Sequence, residues 1–170
     1  MTTALGAFAD PPEAERPLSP PPSYGVPVEG GELIEWSFVV GELERARNYW
    51  VVTVGRASRP HAAPVWGVFV GDDLFLETSP STRKARNLAR NPAVVVHTES
   101  GDEVVIVEGS AAPFAPPADL GRALASAFAA KYRGYEPEPV AWNEGSLYRV
   151  APRVVFAWRD MPTATCWRFP

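Results

Sequence analysis

Between the β-rich runs His61–Val70 and Leu74–Thr78 stand only Gly71, Asp72 and Asp73. A connection this short cannot carry a crossover, so the two runs must be antiparallel neighbours in one sheet. The same texture recurs along the chain. Tyr49–Gly55 is β-branched and aromatic and ends in a turn over Arg56 to Pro60; Ala93–Thr98 and Glu103–Ala112 flank the turn Ser100-Gly101-Asp102. Ser146–Val150, Val154–Trp158 and Thr163–Phe169 read as the last strands. Short strands joined by tight or single-helix connections predict a mostly β, α+β protein: an antiparallel barrel with peripheral helices.

Three segments carry helical periodicity. Glu32–Asn48 places Leu33, Trp36, Val40, Leu43 and Ala46 three to four residues apart, with Gly41 expected to split it into two short helices. Ser79-Pro80-Ser81 opens a helix running to about Asn91, stopped by Pro92. Pro116–Tyr132 is amphipathic, with Leu120, Leu124, Phe128 and Tyr132 recurring every four residues, a spacing that predicts core packing. Residues 10 to 30 hold seven of the nineteen prolines. Proline has no amide donor and a fixed φ, so residues 1–30 are expected to be a disordered leader or extended arm, with one folded domain over 31–170.

The formal net charge of −4 leaves no excess of cations for a nucleic-acid binder that works by general phosphate neutralisation. One cysteine, Cys166, and two histidines, His61 and His97, give no framework for a disulfide or for a cysteine- or histidine-rich metal site. No long apolar run suggests a membrane span, and no basic start with an apolar stretch suggests a signal peptide, so a cytoplasmic protein is expected.

Chemistry concentrates at Thr78–Asn87, read TSPSTRKARN. A helix start offers unpaired amides and a partial positive charge. Ser81 or Thr82 can cap it or give a hydroxyl to an anion, and Arg83, Lys84 and Arg86 place three cations where the macrodipole favours acids. Such a local violation marks an anion site; the alternative is a solvated basic face on a short helix.

The run from Pro60 to Pro92 resembles the pyridoxamine 5′-phosphate oxidase-like, FMN-binding split-barrel superfamily. It is most similar to its small actinobacterial branch, some of whose members use the deazaflavin coenzyme F-420. The resemblance rests on Pro64-Val65-Trp66, on Thr78 ending the next strand, and on Ser/Thr-Arg-Lys opening a helix that closes in Asn91-Pro92, and it covers residues 45 to 112 best. It implies a split β-barrel of about six strands and a homodimer with cofactor sites at the interface. It implies hydride transfer on FMN, or alternatively F-420, to or from a small organic substrate. It also implies the site: Pro64, Val65 and Trp66 along the flavin ring; Thr78, Ser79, Ser81, Thr82 and Asn87 near the ribityl–phosphate portion; Arg83 and Lys84 on the phosphate; Arg168 beside the flavin. Glu103 falls where the oxidases place a Gln, a contact that a carboxylate cannot reproduce as a donor. The Arg and His that recognise pyridoxal have no counterpart in Pro162–Cys166, which speaks against vitamin B6 oxidation. A non-catalytic FMN- or haem-binding protein of the same fold is the alternative.

Overall fold

The structure, a computed structural model, describes residues 6–17, 22–27 and 30–170. In it Gly71 and Asp72 both have positive φ, 59° and 60°. That is the hand of a two-residue turn whose twist matches flanking strands. The turn joins β2 (Pro60–Val70) to β3 (Asp73–Glu77), and counting outward from the Val70↔Asp73 pair sets Trp66 opposite Glu77. β2 also pairs with β1 (Tyr49–Val54), and β1 with β4 (Ala93–His97). β4 pairs with β5 (Val104–Pro113), and β5 with β6 (Leu147–Trp158). β6 closes the ring onto β3, and β7 (Thr165–Arg168) lies beside β6 outside it. Every pairing is antiparallel, which makes a closed six-stranded barrel with one added strand; closure leaves no free edge within the ring.

The sequence suggests two strands separated at Ala151-Pro152-Arg153, whereas β6 runs unbroken through them. The pairing slips there from Glu108↔Val154 to Gly109↔Pro152, leaving Arg153 as the extra residue of a bulge. Proline is tolerated in a strand at such a bulge, and the freed Arg153 carbonyl accepts from the Phe169 amide at 2.8 Å. Gly109 is required by contact: a Cβ on it would sit 2.1 Å from the Ala151 oxygen.

Among the described residues three α-helices pack on the barrel: α1 (Trp36–Arg45), α2 (Arg83–Leu88) and α3 (Ala118–Lys131). α1 passes straight through Gly41 rather than splitting there. Glycine keeps its amide, and its cost of about 1 kcal/mol is outweighed by burial of Phe38, Val39 and Leu43. α2 is shorter than the expected span, because Ser79–Ser81 form a turn and Thr82 is the cap: its Oγ1 accepts from the Ala85 amide at 3.3 Å. The stripe on α3 is core as read. Leu124, Phe128 and Tyr132 bury themselves with Trp142, Phe75, Val68 and Leu147 in a cluster beside the main one inside the barrel.

The expectation that the folded body starts near Gly31 is corrected for residues 6–17. Phe8 is 1% exposed and meets the rings of Trp36, Phe69 and Phe169. The Ala7 amide donates to Asp73 Oδ1 at 2.8 Å, and Glu15 exchanges two backbone hydrogen bonds with Cys166. The Arg16 guanidinium donates to the carbonyls of Pro162, Ala164, Gly30 and Glu32. Prolines remove their own amides from a ladder but leave those of their neighbours, and they do not prevent a phenylalanine from being buried. The leader's residues 1–5, 18–21 and 28–29 lie outside the described residues.

Lys131, at the end of α3, donates to the Gly67 carbonyl at 2.7 Å and to Tyr49 Oη at 3.2 Å. Burial, reinforced by Arg47, pulls its ammonium down to about 8 from 10.5. Between those values the unfolded chain holds the proton that the folded one has released, so this group makes stability rise with pH across the window. The stability advantage of the wild type over Lys131→Met should therefore grow as the pH is raised from 8 towards 10.5, measured by denaturant unfolding; an advantage independent of pH contradicts the assignment.

Candidate functional site: the Trp66 pocket

An open pocket of about 530 Å³ lies where β2, the end of β3 and the start of α2 meet. Pro64, Val65 and Trp66 supply one wall, Thr78, Ser79 and Lys84 another, and Asn48, Glu77 and Tyr135 complete it. Trp66 is 43% exposed, a large apolar ring left at the surface. One side of it is fixed by stacking on Tyr132, with centroids 4.4 Å apart and planes 12° from parallel. Tyr132 is itself immobilised, because its hydroxyl accepts from the Gly67 amide at 2.8 Å and donates to the Arg47 carbonyl at 2.6 Å. A flat aromatic surface is thus held ready in a cavity that also offers hydroxyls and one ammonium.

The polar wall is ordered by its own hydrogen bonds. Ser79 Oγ lies 2.9 Å from Ser81 Oγ, Thr78 Oγ1 lies 3.1 Å from Thr82 Oγ1, and Thr82 Oγ1 donates to the Ser79 carbonyl at 2.9 Å. Thr82 therefore spends its hydroxyl on the turn and the cap, while Ser79 and Ser81 stay exposed. Burial pulls the Lys84 ammonium below its ordinary value. His61, on β2, is held below the usual histidine range first by desolvation and then by the positive charges of Arg83 and Lys84. Opposite them, Tyr135 Oη donates to Glu77 Oε1 at 2.5 Å. Burial and that bond hold the phenol above its ordinary value, and Glu77 Oε2 is buried with no donor among the described residues.

The model of the family described as pyridoxamine 5′-phosphate oxidase matches residues 38–159, more than half of the chain. The chain belongs to the pyridoxamine 5′-phosphate oxidase family. Among solved structures it is similar to a conserved hypothetical protein from Mycobacterium tuberculosis, with 24% identity over 78% of this chain and 89% of that one and a TM-score of 0.64. It is also similar to an F-420 reductase, with 24% identity over 68% of this chain and 93% of that one and a TM-score of 0.51. A third is HutZ, the haem storage protein from Vibrio cholerae, with 17% identity over 70% and 91% and a TM-score of 0.57. These likenesses are of fold. No curated protein matches the sequence. No helix among the described residues is long and apolar enough to cross a membrane.

Within this family's barrel, the residues singled out from the sequence do not all converge. Pro64, Val65, Trp66, Thr78, Ser79 and Lys84 share the pocket, with Ser81 and Thr82 in the turn that forms its rim. Arg83 and Asn87 do not line it; both face a neighbouring cleft. Successive residues of a helix point about 100° apart, so the Arg83-Lys84 pair is divided between two openings. Asn87 is 2% exposed and ties α2 to β1, its Nδ2 donating to Thr53 Oγ1 at 3.0 Å. Arg168 stands elsewhere, on β7, where it pairs with Glu15 at 2.5 Å. Glu103 pairs loosely with Arg159 at 3.9 Å.

Asn48, Glu77 and Tyr135 belong to the pocket but were not singled out. Glu77 was within reach: the hairpin register alone places it beside Trp66. Tyr135 and Asn48 arrive from a loop after α3 and from the segment before β1, and no local signal marks them.

Proposed function

We propose that this chain is a cytoplasmic, flavin-dependent oxidoreductase that takes FMN, or alternatively F-420, in the Trp66 pocket. The observation that carries the proposal is the convergence of Trp66, Thr78, Ser79 and Lys84 on one cavity. The donor set fits such a ligand: a stacked indole suits a flat heteroaromatic ring, and an ammonium with nearby serine hydroxyls suits a phosphate. When bound, the cofactor supplies hydride transfer to or from a small organic substrate. The chain's part is to hold the ring against Trp66, to fix the phosphate on Lys84 and Ser79, and to limit water with Tyr135. Cys166 is no competitor as a nucleophile: it is buried on β7, and burial followed by Glu15 pushes its thiol up to about 11.

The homodimer fits the outer face of the barrel. Trp50, His97, Ile106 and Phe156 form one cross-strand row there, and Val52, Val95, Glu108 and Val154 the next, running to Arg168. Trp50 is 36% exposed and stacked on His97. An exposed apolar surface of this kind suits a second copy of the chain, which would bring Arg168 into the interface. Phe156→Glu is expected to yield monomers in sedimentation equilibrium where the wild type is a dimer; a monomeric wild type contradicts the arrangement.

A non-catalytic flavin or haem carrier is the second reading, favoured by the haem storage protein among the structural relatives. The described residues lining the pocket include no histidine, cysteine or methionine to ligate haem iron, and the one tyrosine, Tyr135, spends its hydroxyl on Glu77. Purified protein distinguishes the cases. Yellow colour, with reduction of the bound flavin by a nicotinamide or deazaflavin donor, supports the oxidoreductase. A bound cofactor that no donor reduces supports the carrier.

A further inference from the structure

On the other side of α2 a separate cleft of about 430 Å³ is lined by Arg56, Arg59, Arg83, Arg86 and Arg90. Five guanidinium groups thus surround one opening in a chain whose formal net charge is −4. Among the described residues none of the five is in an ion pair, and the acids nearest in sequence are turned to other partners, Glu77 accepting from Tyr135 and Glu99 from Asn48. Like charges gathered without counter-charges repel one another, so the cluster opposes folding unless a ligand offsets it.

The surrounding backbone holds the cluster in place. The turn after β1 carries Ala57 and Ser58 at φ 55°, a left-handed conformation that neither residue favours, and the Gly55 amide closes it on the Arg59 carbonyl at 2.8 Å. Buried Asn87 anchors α2 beside it, and its Oδ1 accepts from Arg90 at 3.2 Å. Arg56 and Arg59 from one element therefore face Arg83, Arg86 and Arg90 from another.

We propose that this cleft binds a diphosphate or a longer chain of linked phosphates. Guanidinium is a planar fork that pairs with phosphate oxygens two at a time, and one phosphate occupies about two such forks. Arg86 also donates to the Ser81 carbonyl and Arg90 to Asn87 Oδ1, and the donors that remain around one opening call for closely spaced anionic groups, which linked phosphates provide. The cations are exposed around one open cleft rather than set along a stripe, which suits a short chain better than a nucleic-acid backbone. Lys84 faces the Trp66 pocket, so the cleft is a second anion site, and it stands whether or not a flavin occupies the first.

Isothermal titration of the full-length protein with inorganic pyrophosphate and with orthophosphate tests this. Pyrophosphate should bind at least about tenfold more tightly than orthophosphate, and Arg56→Ala/Arg59→Ala should weaken it by about tenfold or more, as expected for lost charge-assisted bonds. FMN affinity should be unchanged in that double variant. FAD binding more tightly than FMN and displaced by pyrophosphate would show that the phosphate chain belongs to a dinucleotide cofactor. FAD and FMN binding alike, with pyrophosphate bound alongside either, would show that a free polyphosphate is the ligand; both results support the site. Pyrophosphate that binds no better than orthophosphate, or is indifferent to the double variant, overturns the proposal, as does displacement of pyrophosphate by a single-stranded oligonucleotide at lower concentration. Absence of FMN binding by the wild type, with pyrophosphate still bound, would count against the flavin reading alone.

Discussion

Lys84→Ala is expected to weaken FMN binding by about tenfold to a hundredfold, the loss of one charge-assisted phosphate contact. Arg83→Ala should change it little. The two residues are adjacent in sequence, and a motif view treats them as one basic pair. On α2 they diverge, however: Lys84 lines the Trp66 pocket, and Arg83 lines the arginine cleft. Quenching of flavin fluorescence, titrated for the two single variants and the double, measures the difference. The double should behave as Lys84→Ala alone. A loss carried by Arg83→Ala instead would mean that the phosphate lies on the other side of the helix, and the pocket would then have to be redrawn.

Phe8→Ala should cost about 3 kcal/mol, the usual penalty for emptying a buried aromatic site. For a chain of this size that lowers the melting temperature by about 6 to 12 °C. Phe8 is 1% exposed, meets Phe69 edge to face at 5.5 Å, and closes the group formed by Trp36 and Phe169. Asp10→Ala, two residues on and exposed, should stay within about 0.5 kcal/mol of the wild type. Thermal unfolding of both variants separates an arm that completes the core from a dispensable leader. Equal melting of Phe8→Ala and the wild type would restore the leader view.

The barrel was legible because its strands alternate and its turns are short. The two-residue turn at Gly71-Asp72 alone sets the β2–β3 pairing, and with it the placement of Trp66 against Glu77. Two features misled. Pro152 looks like a strand end, because the bulge that accommodates it depends on Gly109 in another strand. The proline-rich N-terminus looks detached, because the partners of Phe8 and Glu15 come from α1, β2, β7 and the last residues, far along the chain. The candidate site divides in the same way. Pro64-Val65-Trp66, Thr78, Ser79 and Lys84 form one ordered motif and meet in one pocket. Tyr135 is brought there only by the packing of α3 and its following loop against Trp66, and Asn48 by the pairing that sets Tyr49 opposite Val65. The arginine cleft joins two segments whose positive charges look like ordinary surface until the β1–β2 turn is set beside α2.

The most direct test of the Trp66 pocket as a cofactor site is titration of the apoprotein with FMN and with F-420, followed by cofactor fluorescence, in the wild type and in Trp66→Ala. The expected result is saturable binding of one of the two at one per chain, with the affinity sharply reduced in Trp66→Ala. Absence of binding by either, or binding that Trp66→Ala leaves unchanged, would contradict it.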